Sequence, residues 1–261
     1  MVPRWLGVPV CLGCIGAGSL LAEVRLEMRE GRPVVDGVFV NGHGPYRFLI
    51  DTGSNLNLIE KRVADVVGLA AAADVEVKSS AGKTRMIESD GNEISLGPAT
   101  ARGQKLLVSA MKEIRSVLPE VHGVLGQWFL GSFDYLLDIR GRRIEFGKQE
   151  RKGRRLQSRM LNGRMAIRTS LGELLLDSGA VNLVRFGVTP DRSGMKYVQT
   201  VAGGRFAGSV ESSLAIDGRN VWSGTAVAMP ETDEAGLAGL MPVGLFRKVY
   251  VCNSEGYVVL E

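Results

Sequence analysis

Short apolar runs separated by glycine-containing turns fill most of the chain. Residues 34–40 and 47–50 are apolar stretches on either side of the segment NGHGP, a pattern typical of two strands joined by a turn. Only residues 60–69, EKRVADVVGL, space their apolar side chains as a short helix does. The same strand-like runs return in three further segments, residues 93–96, 105–108 and 210–216. This series predicts an all-β fold made of barrels or sandwiches.

Two stretches of the chain repeat one pattern. GPYRFLIDTGSNLNLI, residues 44–59, and SLGELLLDSGAVNLV, residues 170–184, each place three apolar residues before Asp, then Thr or Ser, then Gly. Downstream, GVLGQWFLGSFDYLLDIRGRRIEF at 123–146 matches GLMPVGLFRKVYVCNSEGYVVLE at 239–261, and both end in a hairpin pattern. Two matched blocks in the same order predict a duplicated domain.

The repeat divides the chain into two lobes, residues 23–147 and 161–261. Residues 148–160 between them are rich in Lys and Arg and poor in apolar residues. This composition suits a solvated linker better than a polyanion-binding patch. The chain as a whole is only mildly basic, with 32 Lys and Arg against 28 Asp and Glu, and its basic residues are not interleaved with aromatic ones. We therefore expect no nucleic-acid partner.

Residues 1–22 differ from the rest of the chain, because Arg4 is their only charged residue. A short basic start followed by an apolar stretch and small residues predicts a secretory signal peptide, and hence a periplasmic or secreted protein. The alternative is an uncleaved N-terminal anchor, which would tie the protein to a membrane.

Cysteine and histidine usage gives no sign of a metal site or a disulfide framework. Cys11 and Cys14 lie in the expected leader, which leaves Cys252 without an intramolecular partner. His43 and His122 lack the close spacing of metal ligands. We therefore expect no metal and no cofactor.

The two Asp-Thr/Ser-Gly segments, LIDTG and LLDSG, resemble those of aspartic peptidases of the pepsin and retropepsin type. The resemblance implies a bilobal acid-protease fold with the active site between the lobes. It implies that Asp51 and Asp177 are the catalytic pair, one from each lobe. Two carboxylates held close together cannot both ionise, so they share one proton. The ionised member would then activate a water, and the protonated member would donate to the scissile carbonyl.

The residues that follow each aspartate receive supporting roles from the same resemblance. Thr52 and Ser178 would make reciprocal hydrogen bonds between the loops, and Gly53 and Gly179 would let the loops approach closely. Ser54 has a hydroxyl where the second loop has only Ala180. We therefore expect Ser54 to bond the Asp51 carboxylate and to keep Asp51 the ionised member.

A later apolar-apolar-Gly segment packs beside each aspartate in this family. Gly126 fits that pattern in the first lobe. The second lobe departs from the pattern, because Pro242 stands at the matching position.

Two glycine-tipped hairpins are candidates for flaps that cover a substrate. VKSSAGKTRM at residues 77–86 has its tip at Ala81 and Gly82, and VQTVAGGRFAG at 198–208 has its tip at Gly203 and Gly204. The alternative is that both are plain surface hairpins. As flaps, they would hold a polypeptide in an extended conformation by backbone hydrogen bonds.

These features favour an exported aspartic endopeptidase that acts as a monomer with pseudo-twofold symmetry. Three alternatives stay open. Two first lobes could pair in a homodimer with the second lobe regulatory, or the chain could be an exported peptide-binding pseudo-peptidase that hydrolyses poorly. The second Asp-Ser-Gly could also be an ordinary turn.

Overall fold

The computed structural model describes residues 23–79, 82–200, 203–230 and 236–261. The all-β prediction is confirmed, since 59% of the chain lies in strands and 8% in helices. The elements, in chain order, are β1 Glu23–Arg29, β2 Arg32–Val40, β3 His43–Ile50, β4 Leu58–Glu60, α1 Lys61–Val67, β5 Ala73–Ser79, β6 Gly82–Leu96, β7 Ala99–Ser109, α2 Lys112–Arg115, β8 Gly123–Leu125, α3 Gln127–Leu130, β9 Tyr135–Asp138, β10 Arg143–Phe146, β11 Leu156–Leu161, β12 Arg164–Thr169, β13 Gly172–Asp177, β14 Val184–Phe186, β15 Asp191–Thr200, β16 Gly203–Ile216, β17 Arg219–Met229, β18 Leu237–Pro242, a 3-10 helix Val243–Leu245, β19 Lys248–Cys252 and β20 Tyr257–Leu260.

Every segment expected to be a strand lies within one, and the expected helix is α1. This helix ends at Gly68, whose φ of 71° lies in the left-handed region. The N–H of Leu69 bonds the carbonyl of Ala64, which closes the helix end. Glycine is suited to this position because it adopts a positive φ without a steric penalty.

The strand pairings form three groups. Strands β1 to β8 pair among themselves in the first half of the chain. Strands β11 to β18 do so in the second half. A third group runs antiparallel in the order β1, β10, β9, β19, β20, β11, so that three strands of each half form one sheet. The pairing of β9 with β19 joins the halves at its centre.

Each half contains the same arrangement of strands around its aspartate. In the first half, β3 runs parallel to β8, which in turn pairs antiparallel with β4. In the second half, β13 runs parallel to β18, which pairs antiparallel with β14. Ile50 lies opposite Leu125 in the first case, and Leu176 lies opposite Met241 in the second. Asp51 and Asp177 therefore follow equivalent residue pairs.

One hydrophobic core extends through both halves. Phe48 and Ile50 from the first half belong to the same buried cluster as Leu174 and Leu176 from the second. Strand β3 ends in three consecutive buried apolar residues because both faces of this strand are covered, and the same holds for the end of β13. Asp51 thus follows the buried end of β3, and Asp177 is the last residue of β13, next to its buried apolar residues.

Residues 1–22 lie outside the described residues, so the leader stays a prediction. In the described part of the chain, no helix is both long enough and apolar enough to span a membrane. Strand β11 begins at Leu156, inside the segment expected to be a linker, and pairs with β12 and β20.

Substitution of Leu137 tests whether the halves share one core. This side chain is fully buried in β9, where Leu137 lies opposite Ile144 of β10 and Val249 of β19. We expect Leu137→Ala to lower the free energy of unfolding by about 2–5 kcal/mol and to keep a single transition in urea. The exposed Val221 provides a control, since Val221→Ala should change stability by less than about 0.5 kcal/mol. Two separate transitions, only one of them shifted by Leu137→Ala, would contradict the shared core.

Candidate active site

Both aspartates start the same kind of tight loop. Oδ1 of Asp51 accepts hydrogen bonds from the backbone N–H of Gly53 at 3.0 Å and of Ser54 at 3.1 Å. Oδ1 of Asp177 accepts the corresponding bonds from Gly179 at 2.8 Å and Ala180 at 2.9 Å. Each carboxyl group therefore has one oxygen fixed by its own loop.

The two loops are tied together by Thr52 and Ser178. The N–H of Thr52 donates to Oγ of Ser178 at 2.9 Å, and the N–H of Ser178 donates to Oγ1 of Thr52 at 3.0 Å. The hydroxyls then donate onward across the interface, from Thr52 to the carbonyl of Leu176 at 2.8 Å and from Ser178 to that of Ile50 at 2.6 Å. The structure thus contains the reciprocal arrangement that the resemblance implies for these two residues.

The glycines lie directly against the opposite carboxyl groups. A Cβ atom on Gly53 would come within 2.6 Å of both carboxyl oxygens of Asp177. A Cβ atom on Gly179 would come within 2.8 Å of Cγ of Asp51. Neither position has room for a side chain. This close approach brings the carboxyl groups of Asp51 and Asp177 into hydrogen-bonding contact with each other.

Burial raises the pKa of both aspartates. For Asp51, loss of solvation and the negative charge of Asp177 raise the pKa to about 7, against the smaller opposing effect of its two backbone donors. For Asp177, burial again raises the pKa, while its backbone donors, its hydrogen bond with Asp51 and the positive charge of Arg164 lower it. The two carboxyl groups therefore titrate as one coupled pair, which keeps a shared proton to a higher pH than an isolated aspartate does.

The expectation about Ser54 was wrong. Its hydroxyl donates to the carbonyl of Leu56 at 3.0 Å and accepts the N–H of Leu56 at 3.1 Å, so it bonds the chain ahead of it. Only the backbone N–H of Ser54 reaches the Asp51 carboxylate, and Ala180 supplies the same bond to Asp177. The missing hydroxyl in the second loop therefore removes no hydrogen bond from the aspartates, and the ionisation of Asp51 that was expected from this hydroxyl stays a prediction without that support.

The first loop has additional buried support that the motif did not reveal. The side-chain amide of Gln127 donates to the carbonyl of Thr52 at 3.0 Å, and Oδ1 of Asn57 accepts the N–H of Gly126 at 3.0 Å. In the second half, Val243 follows Pro242 where Gln127 follows Gly126, and Pro242 has no N–H to donate. Pro242 nevertheless lies opposite Asp177 in the β13–β18 register, at the end of β18. The second loop thus lacks these two bonds.

Two arginines near the aspartates were also missed by the sequence analysis. Arg32 bonds the carbonyl of Gly179, and Arg164 bonds that of Gly53. Each arginine directly follows a glycine, in the segments EGR and NGR, some distance before its own Asp-Thr/Ser-Gly motif. That repeated Gly-Arg pair was the one signal in the sequence that could have pointed to them.

The proposed flap segments form hairpins of strands β5–β6 and β15–β16. Gly82 pairs with Ser79, while Gly203 and Gly204 pair with Thr200 and Gln199. Ala81, the other expected tip residue, lies outside the described residues. Strand β15 runs beside α2 of the first half. The covering role of both hairpins stays a prediction.

Within the described ranges, no group of three or more His, Cys, Asp or Glu side chains is arranged to hold a metal ion. Nδ1 of His122 accepts the backbone N–H of Arg47. Cys252 is buried, with its thiol beside Asp134 and Ser254. These residues have local structural contacts away from the two aspartates.

Removal of one hydroxyl from the loop network tests its contribution to stability. Thr52→Val keeps the side-chain shape but leaves the N–H of Ser178 and the carbonyl of Leu176 without their partner. We expect it to lower the free energy of unfolding by about 1–3 kcal/mol, because unsatisfied buried groups lose their solvation. Ser178→Ala should have a similar effect through Thr52 and Ile50. Urea denaturation measures both changes.

Thr100→Val on β7 is the matched control, since the network does not involve this residue. If Thr52→Val and Ser178→Ala lower the free energy of unfolding no more than Thr100→Val does, other contacts hold the loops together.

Comparison with known proteins supports the assignment for the first half. Residues 37–129 match the family model described as aspartyl protease. The matched segment includes Asp51, Thr52, Gly53 and the downstream Gly126. No curated protein matches the chain. Residues 37–129, which lie in the first half of the chain, are thus similar to the aspartyl protease family of the retropepsin type.

Proposed function

We propose that the protein is an aspartic endopeptidase whose active site combines Asp51 and Asp177 within one chain. The observation that carries this proposal is the mutual enclosure of the two carboxyl groups, each against the glycine of the opposite loop. Two acids in contact, one buried and one partly buried, cost desolvation energy, and a binding surface has no need of them. Chemistry that needs one proton shared by two carboxyl groups explains the arrangement.

The different surroundings of the two aspartates suggest how the proton would move. In this proposal Asp177, which lies near the positive charge of Arg164, takes a proton from a water as the water oxygen attacks the scissile carbonyl carbon, and Asp51 donates its proton to the carbonyl oxygen. The resulting tetrahedral intermediate has two hydroxyl groups. On collapse, the C–N bond breaks, the amine nitrogen takes the proton from Asp177, and Asp51 recovers a proton from one of the hydroxyls. The pair returns to its starting state with peptide acid and amine released.

The contacts of the loop network favour pairing within one chain over a dimer of first halves. Thr52 has its hydrogen-bond partners in Ser178 and Leu176 of the same chain. The shared β9–β19 sheet ties the same two halves together. In a dimer of first halves, a second Thr52 loop would have to replace the Ser178 loop, and these contacts would be broken. We therefore propose a monomer, with an extended polypeptide as substrate.

Replacement of each aspartate by asparagine tests the proposal. Purified protein from residue 23 onwards is incubated with an unfolded protein substrate between pH 3 and 8, and new N-termini are counted. We expect cleavage to fall by at least about a thousandfold in Asp51→Asn and in Asp177→Asn, since neither variant can share the proton. We expect wild-type activity to decline as the pH rises through about 7, where Asp51 loses its proton.

Asp65→Asn, on the exposed face of α1, is the control and should cleave like the wild type. Activity that survives Asp177→Asn would contradict pairing within the chain. A wild type that binds unfolded peptides but cleaves none would favour the pseudo-peptidase.

The raised pKa of Asp51 also predicts a pH dependence of stability that does not require activity. The pKa is about 7 in the folded protein and about 3.9 in an unfolded chain, so folding favours the protonated form. Its contribution to stability is complete below about pH 4 and is lost as the pH rises to about 7. We expect Asp51→Asn, which cannot ionise, to unfold at a higher temperature than the wild type at pH 8 and to lose this advantage at pH 4.

Asp36→Asn is the control of opposite sign, measured by the same thermal unfolding. The hydrogen bond from Arg47 lowers the pKa of Asp36, so this group loses its contribution as the pH falls. An Asp51→Asn variant whose stability follows that of the wild type at every pH would contradict the raised pKa.

A further inference from the structure

Two arginines occupy equivalent places in the two halves. Arg32 is the first residue of β2 and follows the turn of Glu30 and Gly31, whose φ angles are 47° and 75°. Arg164 is the first residue of β12 and follows Asn162 and Gly163, with φ angles of 48° and 79°. Two successive positive φ angles are typical of the tight hairpin turns that glycine favours. The same turn therefore presents an arginine in each half.

Each arginine reaches across to the aspartate loop of the opposite half. Nε of Arg32 donates to the carbonyl of Gly179 at 2.8 Å, and Nη1 donates to the carbonyl of Glu30 in its own turn at 3.0 Å. Nη1 of Arg164 lies 3.4 Å from the carbonyl of Gly53, a longer and weaker bond. Both side chains are partly buried. Each Asp-Thr/Ser-Gly loop is thus bonded by an arginine from the other half.

Both guanidinium groups also interact electrostatically with both aspartates. Burial lowers the pKa of Arg32 and of Arg164, while the charges of Asp177 and Asp51 act in the opposite direction. Arginine stays cationic under such conditions, because its guanidinium has a very high pKa in water. Glu30 is a further charged group beside Arg32, and it partly offsets that arginine's charge. Within the described residues, two cations therefore face a pair of acids that carries one negative charge in its active form.

A physical difficulty of the site gives these charges a purpose. Burial raises the pKa of both aspartates. Without a nearby positive charge, burial would keep both acids protonated up to a higher pH, and the singly ionised pair would form only above that pH. A fully protonated pair has no base to activate water. A nearby positive charge stabilises the carboxylate in this poorly solvated site and makes the singly ionised pair available at lower pH.

We propose that Arg32 and Arg164 are positioning residues of the active site, each fixing the opposite aspartate loop and stabilising the single negative charge of the pair. This inference rests on the proposed peptidase function. It assigns the two hairpin turns, β1–β2 and β11–β12, to the catalytic apparatus. It also predicts that the pH range of activity depends on residues outside the Asp-Thr/Ser-Gly motifs.

The test separates charge from hydrogen bonding at each position. Arg32→Gln and Arg164→Gln retain a donor but lose the charge, whereas Arg32→Lys and Arg164→Lys retain the charge. The pH profile of kcat/KM is measured for each variant with a peptide substrate. We expect both limbs of the profile to move to higher pH by about 1 unit in the Gln variants, because loss of a cation favours the protonated pair. The Lys variants should keep the wild-type limbs.

Arg47→Gln is the matched control. Arg47 lies on β3, four residues before Asp51, but its side chain bonds Asp36 on the surface. The pH profile of kcat/KM of Arg47→Gln should match that of the wild type. A uniform drop in rate at all pH values in the Gln variants, with unmoved limbs, would overturn the inference and leave a purely structural role. If the Gln variants fail to fold, the Lys variants provide the test. A shift of either limb of their pH profile of kcat/KM, although the positive charge is kept, would also overturn the inference.

A second measurement keeps this inference separate from the peptidase proposal. The titration of the two aspartate carboxyls is followed by carbon-13 NMR in the wild type and the Arg variants, with Asp51→Asn and Asp177→Asn used to assign the signals. Higher carboxyl pKa values in the Gln variants would support the role of the arginines even if no substrate is cleaved. Unchanged values would overturn that role even if the wild type is an active peptidase.

Discussion

Four hydrogen bonds between the Thr52 and Ser178 loops hold two acidic groups in contact, and the other features of the site depend on them. Carboxyl groups this close, with little water around them, repel each other whenever both ionise. Only a rigid frame keeps them from separating. The four bonds satisfy every donor and acceptor they use, and they end on the carbonyls of Ile50 and Leu176, the last apolar residues of β3 and β13. The frame is therefore anchored in the core.

The six-stranded sheet shared by both halves supplies the rest of that frame. A hydrogen bond between loops is useful only if the halves that carry the loops cannot move apart. The β9–β19 pairing fixes them side by side, and apolar residues of both halves pack into one cluster. The sheet sets the distance between the halves, and the loop network sets the finer geometry of the carboxyl groups. Neither level would be sufficient without the other.

The sequence predicted those parts of the site that a local pattern determines. The strands that lead to Asp51 and Asp177, the loop glycines and the two hydroxyl residues all follow from one repeated motif, because each depends on its immediate neighbours. The role of Ser54 was wrong for a reason that a motif does not contain. Its hydroxyl has a choice of partners, and in the folded loop it bonds the carbonyl and the N–H of Leu56.

Arg32, Arg164 and Gln127 were missed because their contacts join segments that are distant in the sequence. Arg32 and Gly179 are 147 positions apart in the sequence, and Gln127 and Thr52 are 75 positions apart. Hydrophobic periodicity predicts the strands on which such residues lie, but the approach of one hairpin to the loop of the other half depends on how the halves pack. Secondary structure was therefore easier to predict than the surroundings of the aspartates.

The two halves support their aspartates unequally, which explains where the cross-links between them are strongest. Gln127 and Asn57 brace the first loop from within its own half. In the second half, Val243 occupies the position of Gln127, and Pro242 occupies the position of Gly126, whose N–H bonds Asn57. The shorter arginine bond, from Arg32 to Gly179, leads to that less supported second loop. The position of Asp177 is thus determined to a greater extent from the opposite half than that of Asp51. The second loop, which has fewer bonds within its own half, therefore depends on contacts from the first half to hold Asp177 beside Asp51.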